Sequence, residues 1–357
     1  MTSQSSADLL TASLRRAMGD AHPSLTTSVL PALLRGISRT ATALRSAHSV
    51  EKAGSENVFG DAQLNVDVQA ELFFREEIRA CAAIVAASSE EDPVEVRTAA
   101  DSDGNGDGNE IGSGSADENP DVYAVAFDPL DGSSIIGPNW AVGSIIGIWA
   151  GATALGRDPR DQVAAVLGVY GPRTTALIAV RIPGREASAV CVEVGISADS
   201  HDTYALVRED VRLDDRAAAA AAAGEEESSR TRYFAPANLR AAAEDERYMG
   251  LVTRYIAERY TLRYSGGLVP DVAHALEKGH GVYVSPVTRG SQAKLRRAFE
   301  LLPVALVVEC AGGRAVDPGD GRRVLETPLR TLDERGGLVC GCREEVERVR
   351  EWFGVGG

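Results

Sequence analysis

The sequence predicts a layered α/β or α+β protein, and three observations carry that prediction. Apolar, β-branched runs of strand length recur at 122–127, 144–149, 163–169, 175–182 and 189–194. Segments with helical periodicity accompany them, at 30–44, 62–80 and 343–353. There is no solenoid-type repeat, and the longest weakly polar run, 141–155, holds three glycines and is too short for a membrane span. Helices and sheets with one apolar side each must cover one another, so stacked layers follow. The 357 residues suffice for one large domain or two medium ones.

Along the chain, the N-terminal stretch is Ser/Thr-rich and sets Arg15, Arg16, Arg35, Arg39 and Arg45 against only Asp8 and Asp20 before Glu51. That is the composition of an organelle transit peptide. Leu30, Leu33, Leu34, Ile37 and Leu44, however, recur at helical spacing and favour a packed helix. Residues 62–80 read as a helix with Leu64, Val68, Leu72 and Ile78 on one face. A strand at 81–87 ends in Ser88-Ser89-Glu90-Glu91-Asp92. The Gly/Asp/Asn/Ser-rich region 92–119 reads as an exposed mobile loop. Strand 122–127 runs into Asp128, and further strands follow to 194. Segment 214–230, with alanine at 217–223 and then Glu225-Glu226-Glu227, is the candidate linker or insertion. Helices are expected near 239–258 and 291–302, a strand at 304–309, and an amphipathic helix at 343–353.

A formal net charge of -15 argues against a nucleic-acid or anionic-membrane surface, which needs clustered Lys and Arg. A small anionic substrate stays compatible with it, since a few local cations can hold one. Five cysteines, an odd number with only Cys340 and Cys342 close together, point to a reducing compartment and not to a disulfide framework. One-residue spacing suits neither a metal site nor a redox pair, so these two read as semi-buried thiols. The five histidines are scattered away from any motif, so a zinc or triad mechanism has no support. Residues 101–107 resemble a calcium loop, but the glutamate required at its twelfth position is Gly112.

The chemistry concentrates in Asp128-Pro129-Leu130-Asp131-Gly132-Ser133-Ser134. Two carboxylates stand three apart at a strand end, Pro129 fixes the turn, and Gly132 admits a ligand close to the backbone. The amides of Gly132, Ser133 and Ser134 are placed to cradle a phosphate. Hard oxygen ligands beside a phosphate suit Mg²⁺. Glu90-Glu91 leave another strand in the same way, and two such clusters can hold two metals ~4 Å apart. Asp61 and Asp67 flank the start of the preceding helix, where Asp61 alone would read as an N-cap. Phosphate-ester hydrolysis needs accelerations of up to ~10²¹-fold, of which one general base supplies only ~10²–10⁴, so metals must contribute most of the rest.

These motifs resemble the fructose-1,6-bisphosphatase family. The likeness rests on FDPLDGSS, on Gly60-Asp61 with Asp67, on Ser89-Glu90-Glu91, and on Leu262-Arg263-Tyr264-Ser265-Gly266-Gly267. It extends to Asn238-Leu239-Arg240, Lys294-Leu295-Arg296, and Glu300 followed by Ala311-Gly312-Gly313. The segments 160–165, 170–175 and 260–264 are most similar to the sedoheptulose-1,7-bisphosphatase branch. The resemblance implies a five-layer α/β/α/β/α sandwich of the sugar-phosphatase type. It implies an N-terminal metal-binding subdomain, 1–228, and a C-terminal sugar-phosphate-binding subdomain, 229–357. Glu90, Glu91, Asp128, Asp131 and Glu300, with the Leu130 carbonyl, would hold two or three Mg²⁺ ions, with Mn²⁺ able to substitute. Asp61, Asp67 and Glu91 would be catalytic near the attacking water. Gly132, Ser133 and Ser134 would hold the departing phosphate, and Asn238, Tyr264 and Lys294 the distal phosphate and sugar. Arg296 would assist near the scissile phosphate, and Arg263 would reach into a neighbouring subunit's site, implying a homodimer or homotetramer.

The expected reaction is removal of the 1-phosphate of sedoheptulose 1,7-bisphosphate. Fructose 1,6-bisphosphate is the nearest rival substrate, alone or together with it, and an inositol-phosphate or nucleotide phosphatase is more distant. A non-catalytic sugar-phosphate sensor is the rival of another class, which retention of all the carboxylates disfavours. The expected location is cytoplasmic, with organelle targeting left open, and no nucleic-acid or membrane partner is expected. Two departures stand out. Val50 and Ser55 occupy the positions of a cysteine pair in the plastid sedoheptulose enzymes, and Gly137 stands where the family has an acidic residue.

Overall fold

A computed structural model of the chain describes residues 6–19, 21–56, 62–98, 121–214 and 231–355. Two sheets dominate it. The larger has eight strands: β3 (Ile84–Ser89), β4 (Val96–Arg97), β5 (Tyr123–Asp131), β6 (Val142–Ala150), β7 (Gln162–Tyr170), β8 (Thr174–Val180), β9 (Val190–Ile196) and β10 (Tyr204–Arg208). Their order is β10-β9-β8-β7-β6-β5-β3-β4. The smaller has the order β12-β11-β13-β17-β15, built from β11 (Tyr233–Pro236), β12 (Thr261–Leu262), β13 (Val282–Ser285), β15 (Arg314–Val316) and β17 (Leu338–Gly341). Two small ribbons pair β1 (Lys52–Glu56) with β2 (Ala62–Leu64), and β14 (Leu295–Arg296) with β16 (Arg335–Gly336).

Helices fill the spaces that these sheets leave. The first core joins α1 (Ser6–Met18), α2 (Leu30–Ser46) and α3 (Asn65–Ala80) to one face of the large sheet, through Tyr123, Val125 and Phe127. The opposite face, through Ala126, Ile145 and Leu167, packs on α6 (Leu268–Lys278) and α7 (Leu302–Cys310). Those two helices also meet the inner face of the small sheet at Ala235, Tyr283 and Leu338. Its outer face, at Phe234, Val284 and Val339, is covered by α5 (Glu246–Ala257) and α8 (Arg343–Phe353). The result is the expected five-layer α/β/α/β/α order. Alternate residues of β5 enter different cores, as the two-residue period of a strand requires. Among the described residues, no helix is long and apolar enough to cross a membrane.

Several expectations need correction. The segment at 304–309 is not a strand but most of α7, whose residues from Leu302 to Val308 are all buried. A helix clamped between two sheets is apolar all round and shows no period to tell it from a buried strand. Before it comes not a helix over 291–302 but β14 and then a π-helical turn, Arg297–Leu301. The helix at 62–80 begins only at Asn65 and buries Val66, Ala70, Phe74 and Ile78, leaving Leu72 54% exposed. The strand expected at 81–87 is β3, three residues later, and the helix at 239–258 divides into a 3₁₀ turn, Leu239–Ala243, and α5. Cys340 and Cys342 are fully buried rather than semi-buried. At the N-terminus, Leu30, Leu33, Leu34 and Ile37 all lie in the first core, as a packed helix requires. Residues 99–119 of the expected loop and 215–230 of the expected linker lie outside the described residues.

Candidate active site

Two strands bring the acids together. Within the large sheet, β3 and β5 run parallel while the other neighbours are antiparallel. Ser89 pairs with Phe127, and the Glu90 N–H donates to the Phe127 carbonyl at 3.0 Å. Parallel neighbours end at the same edge, so Glu90 emerges beside Asp128.

The strand expected to stop at 127 continues to Asp131, and this matters chemically. In a regular strand, residues three apart point to opposite faces. Between Asp128, opposite Ile145, and Asp131, opposite Gly143, β5 spends three steps against two on β6. This extra residue is a bulge, and it restores both carboxylates to one side. Pro129 falls within it, where the missing N–H costs no ladder bond.

Carboxylate oxygens of Asp128, Asp131 and Glu300 lie within 4.8 Å of one another, and all three residues are buried. Glu300 arrives from the π-helical turn before α7, and its Oε2 accepts the Arg296 N–H at 2.5 Å. The Arg296 side chain, 1% exposed, donates Nε to Glu90 Oε1 at 2.8 Å. Asp131 accepts the first N–H groups of α6, from Val269 at 2.7 Å and Leu268 at 3.3 Å. Helix N-termini favour negative charge at this position. Asp128 Oδ1 accepts the Leu130 N–H at 2.9 Å.

The cluster is nevertheless short of positive charge. Burial, then Glu90 and its neighbours, hold the Asp128 carboxyl well above the usual range. Glu300 is raised in the same way. Burial pushes Asp131 up to about 7 despite its two amide donors. Asp67, on α3, is 4% exposed and accepts the Leu64 N–H at 2.9 Å. Burial, with help from Glu91 and Glu90, pushes it up to about 7 as well. Crowded, desolvated hard-oxygen donors that resist ionisation are what a divalent cation relieves, so the residues fit Mg²⁺.

A cleft of about 320 Å³ is lined by Ser134, three residues after Asp131, and Tyr264, Asn238, Arg240 and Lys294 are also in its wall. Gly132, at φ +92°, is the cap of the one-turn α4 (Ser133–Ile136), whose two serines are exposed. The Asn238 amide is committed locally, donating to the Pro286 carbonyl at 2.8 Å and accepting from Ser291 Oγ at 2.5 Å, so it braces the rim. Arg263 does not line the cleft; it stacks over the Tyr233 ring at 5.7 Å on the exposed end of β12. Asp61 lies outside the described residues. Sequence reasoning gave no role to Arg240, although its motif was in view. It also gave none to Asp271, which ties down the Ser265 and Gly266 amides at 2.7 and 3.4 Å. Nothing in the local pattern marked Asp271, because α6 itself was not foreseen.

Two family models match the chain. They describe the fructose-1,6-bisphosphatase N-terminal domain, over residues 12–195, and its C-terminal domain, over 228–354. The chloroplastic sedoheptulose-1,7-bisphosphatase of Spinacia oleracea is 34% identical over 83% of this chain and 66% of its own. This chain therefore spans about two thirds of that relative's length. The class 1 fructose-1,6-bisphosphatase of Geobacter sulfurreducens is 32% identical, over 85% of this chain and 83% of its own. A crystal structure of a Toxoplasma gondii protein, described as a sedoheptulose-1,7 bisphosphatase, superposes with a TM-score of 0.78 at 33% identity, covering 99% of each chain.

Proposed function

The chain belongs to the fructose-1,6-bisphosphatase family, and from that premise we propose that it is a phosphoric monoester hydrolase acting on sedoheptulose 1,7-bisphosphate. It would release the 1-phosphate and leave sedoheptulose 7-phosphate. The observation that carries the reading is the convergence of Asp128, Asp131 and Glu300, together with a cleft whose wall takes in Ser134, from the same motif as the two aspartates, and the cations Lys294 and Arg240. That arrangement suits a substrate with one phosphate at the acids and a second at the cations.

Asp128, Asp131 and Glu300 would hold magnesium, with Glu90, Glu91 and the Leu130 carbonyl at the margin of the same site. The bound metal supplies the charge neutralisation that phosphoryl transfer requires. Two or three ions per site fit the number of carboxylates, and manganese would substitute. Ser133, Ser134 and the Gly132 amide orient the departing phosphate. Asp67, held as a proton acceptor near neutral pH by its burial and by Glu91, takes a proton from the attacking water, and Glu91 and Asp61 would be the further catalytic carboxylates. Arg296 keeps Glu90 and Glu300 in place from within the cluster. Lys294, Arg240, Tyr264 and Asn238 fix the distal phosphate and the sugar.

Fructose 1,6-bisphosphate is the second reading, favoured by the 32% identity to class 1 fructose-1,6-bisphosphatases. We further propose a cytoplasmic homodimer or homotetramer in which Arg263 serves the neighbouring site, with residues 1–228 and 229–357 as its two subdomains. The test is phosphate release from both sugars side by side, with magnesium and with chelator. Preference for the seven-carbon sugar supports the reading. Preference for fructose 1,6-bisphosphate installs the second reading, and release that ignores chelator removes the metal from the mechanism.

A further inference from the structure

A second cleft, of about 400 Å³, lies behind the phosphate loop, walled by Leu44, Arg45, Val50, Ile136, Trp140 and Tyr170 among others. We propose that it binds a small organic anion with an apolar or aromatic body, and that its occupancy is felt at the carboxylate cluster.

Charge and wall chemistry point to the ligand. The chain carries a formal net charge of -15, yet among the described residues lining this cleft the only charged side chain is the Arg45 guanidinium. Its bonds go to neutral hydroxyls, to Thr174 at 3.2 Å and Thr42 at 3.1 Å, and among the described residues no carboxylate pairs with it. Guanidinium is a strong donor to carboxylate, sulfonate or phosphate. The rest of the wall is uncharged and mostly aliphatic or aromatic, with Asn139 and Thr174 adding neutral polar groups, and the Trp140 indole, 55% exposed, offers a large face to whatever enters. An isolated cation beside an open indole and aliphatic walls matches the anatomy of small-ligand sites.

The coupling runs through a hydrogen-bond chain. The buried Ser144 donates Oγ–H to the Pro129 carbonyl at 2.7 Å, inside the bulge between Asp128 and Asp131. A hydroxyl has one proton to give, so the 2.6 Å contact between Ser144 Oγ and the Tyr170 hydroxyl is a donation from Tyr170. Tyr170 lines the cleft, which places the floor of the cleft two hydrogen bonds from the backbone that aims both aspartates. Ile136, in the same wall, is the last residue of α4, the turn that carries Ser133 and Ser134. A ligand that shifts Tyr170 or Ile136 therefore acts on both halves of the site.

The coupling rests on the phosphatase reading, whereas the binding does not. The probe is 1-anilinonaphthalene-8-sulfonate, an anion on an aromatic body, titrated into the full chain and followed by energy transfer from tryptophan. One saturable site is expected, weakened roughly tenfold or more by Arg45→Ala, as loss of a charged hydrogen bond implies, and unchanged by Lys294→Ala. Saturating probe should change magnesium-dependent phosphate release in the parent and not in Tyr170→Phe, which keeps the ring and removes the hydroxyl. Binding that ignores Arg45→Ala, or that Lys294→Ala abolishes instead, overturns the site. A saturated protein with unaltered phosphate release, or a Tyr170→Phe variant that responds as the parent does, overturns the coupling. If no phosphate is released from any sugar, the functional reading fails. The binding arm then still judges the cleft, and the probe's effect on the magnesium-induced rise in melting temperature judges the coupling.

Discussion

Val269 donates its backbone N–H to Asp131 at 2.7 Å, and it reaches that position only because residue 143, which pairs with Asp131 across the ladder, is glycine. A Cβ on Gly143 would stand 2.4 Å from the Val269 side chain and 2.7 Å from the Gly168 carbonyl. Neither neighbour is the free end of a flexible chain. Gly143→Ala should push α6 away from β6, costing about 1–3 kcal/mol in a denaturant melt, the usual range for overpacking, and lowering phosphate release at the same time. An unchanged melt would mean that α6 is not seated by this contact.

Removing one of the crowded acids should separate stability from activity. Asp128→Asn relieves repulsion at Glu90, Asp131 and Glu300, all of which face it closely. The chelator-treated variant should therefore melt no lower than the parent. It should also lose the magnesium stabilisation expected of the parent, about 2.7 kcal/mol at a hundredfold excess over Kd, together with all measurable turnover. A variant that magnesium still stabilises fully would remove Asp128 from the metal site.

The pH dependence follows from the direction of the shifts. Asp131 and Asp67 rise from 3.8 to about 7, and Asp128 and Glu300 also rise. Between pH 4 and 7 the folded chain accordingly holds protons that the unfolded chain has released, and stability falls as pH rises through that window. Chelator-treated protein should be more resistant to denaturant at pH 5 than at pH 7.5. Saturating magnesium, which competes with those protons, should reduce the difference. Equal resistance at both pH values without metal would contradict the crowding.

On the proposed reading, the cations of the 320 Å³ cleft should act on substrate binding. Arg240 and Lys294 both line its wall. Arg240→Ala and Lys294→Ala should each raise KM by roughly tenfold or more with a smaller change in kcat, the pattern of a lost contact made equally in ground and transition states. A fall in kcat at constant KM would place them at the reacting phosphate instead.

How much of this was legible in the sequence varies with the kind of signal. The run from Asp128 to Ser134 announced itself because each residue type constrains the next. The central strands appeared within a few residues of their bounds because two-sided burial makes long apolar runs. The bulge that turns Asp128 and Asp131 to one side left no trace beyond Pro129, since a register step depends on the partner strand. The small sheet was largely invisible, because β12 and β15 have two and three residues, too few to show a period. Glu300 came from the family resemblance, and α7 after it was misread as a strand. The C-terminal cations appeared only as motif neighbours, since nothing local to Arg240 or Lys294 says that they share a wall.

The parallel pairing of β3 with β5 and the π-helical turn before α7 together set an order of events. Glu90 emerges early in synthesis and Glu300 late, and the latter is held by a helix that acquires its walls only when both sheets exist. Loop closure over such a separation is slow compared with local helix formation. The cluster of Asp128, Asp131 and Glu300 is therefore incomplete until residue 300 has been made and seated between both sheets. Competence to bind metal would report completed folding, and a product truncated before residue 300 should sequester none.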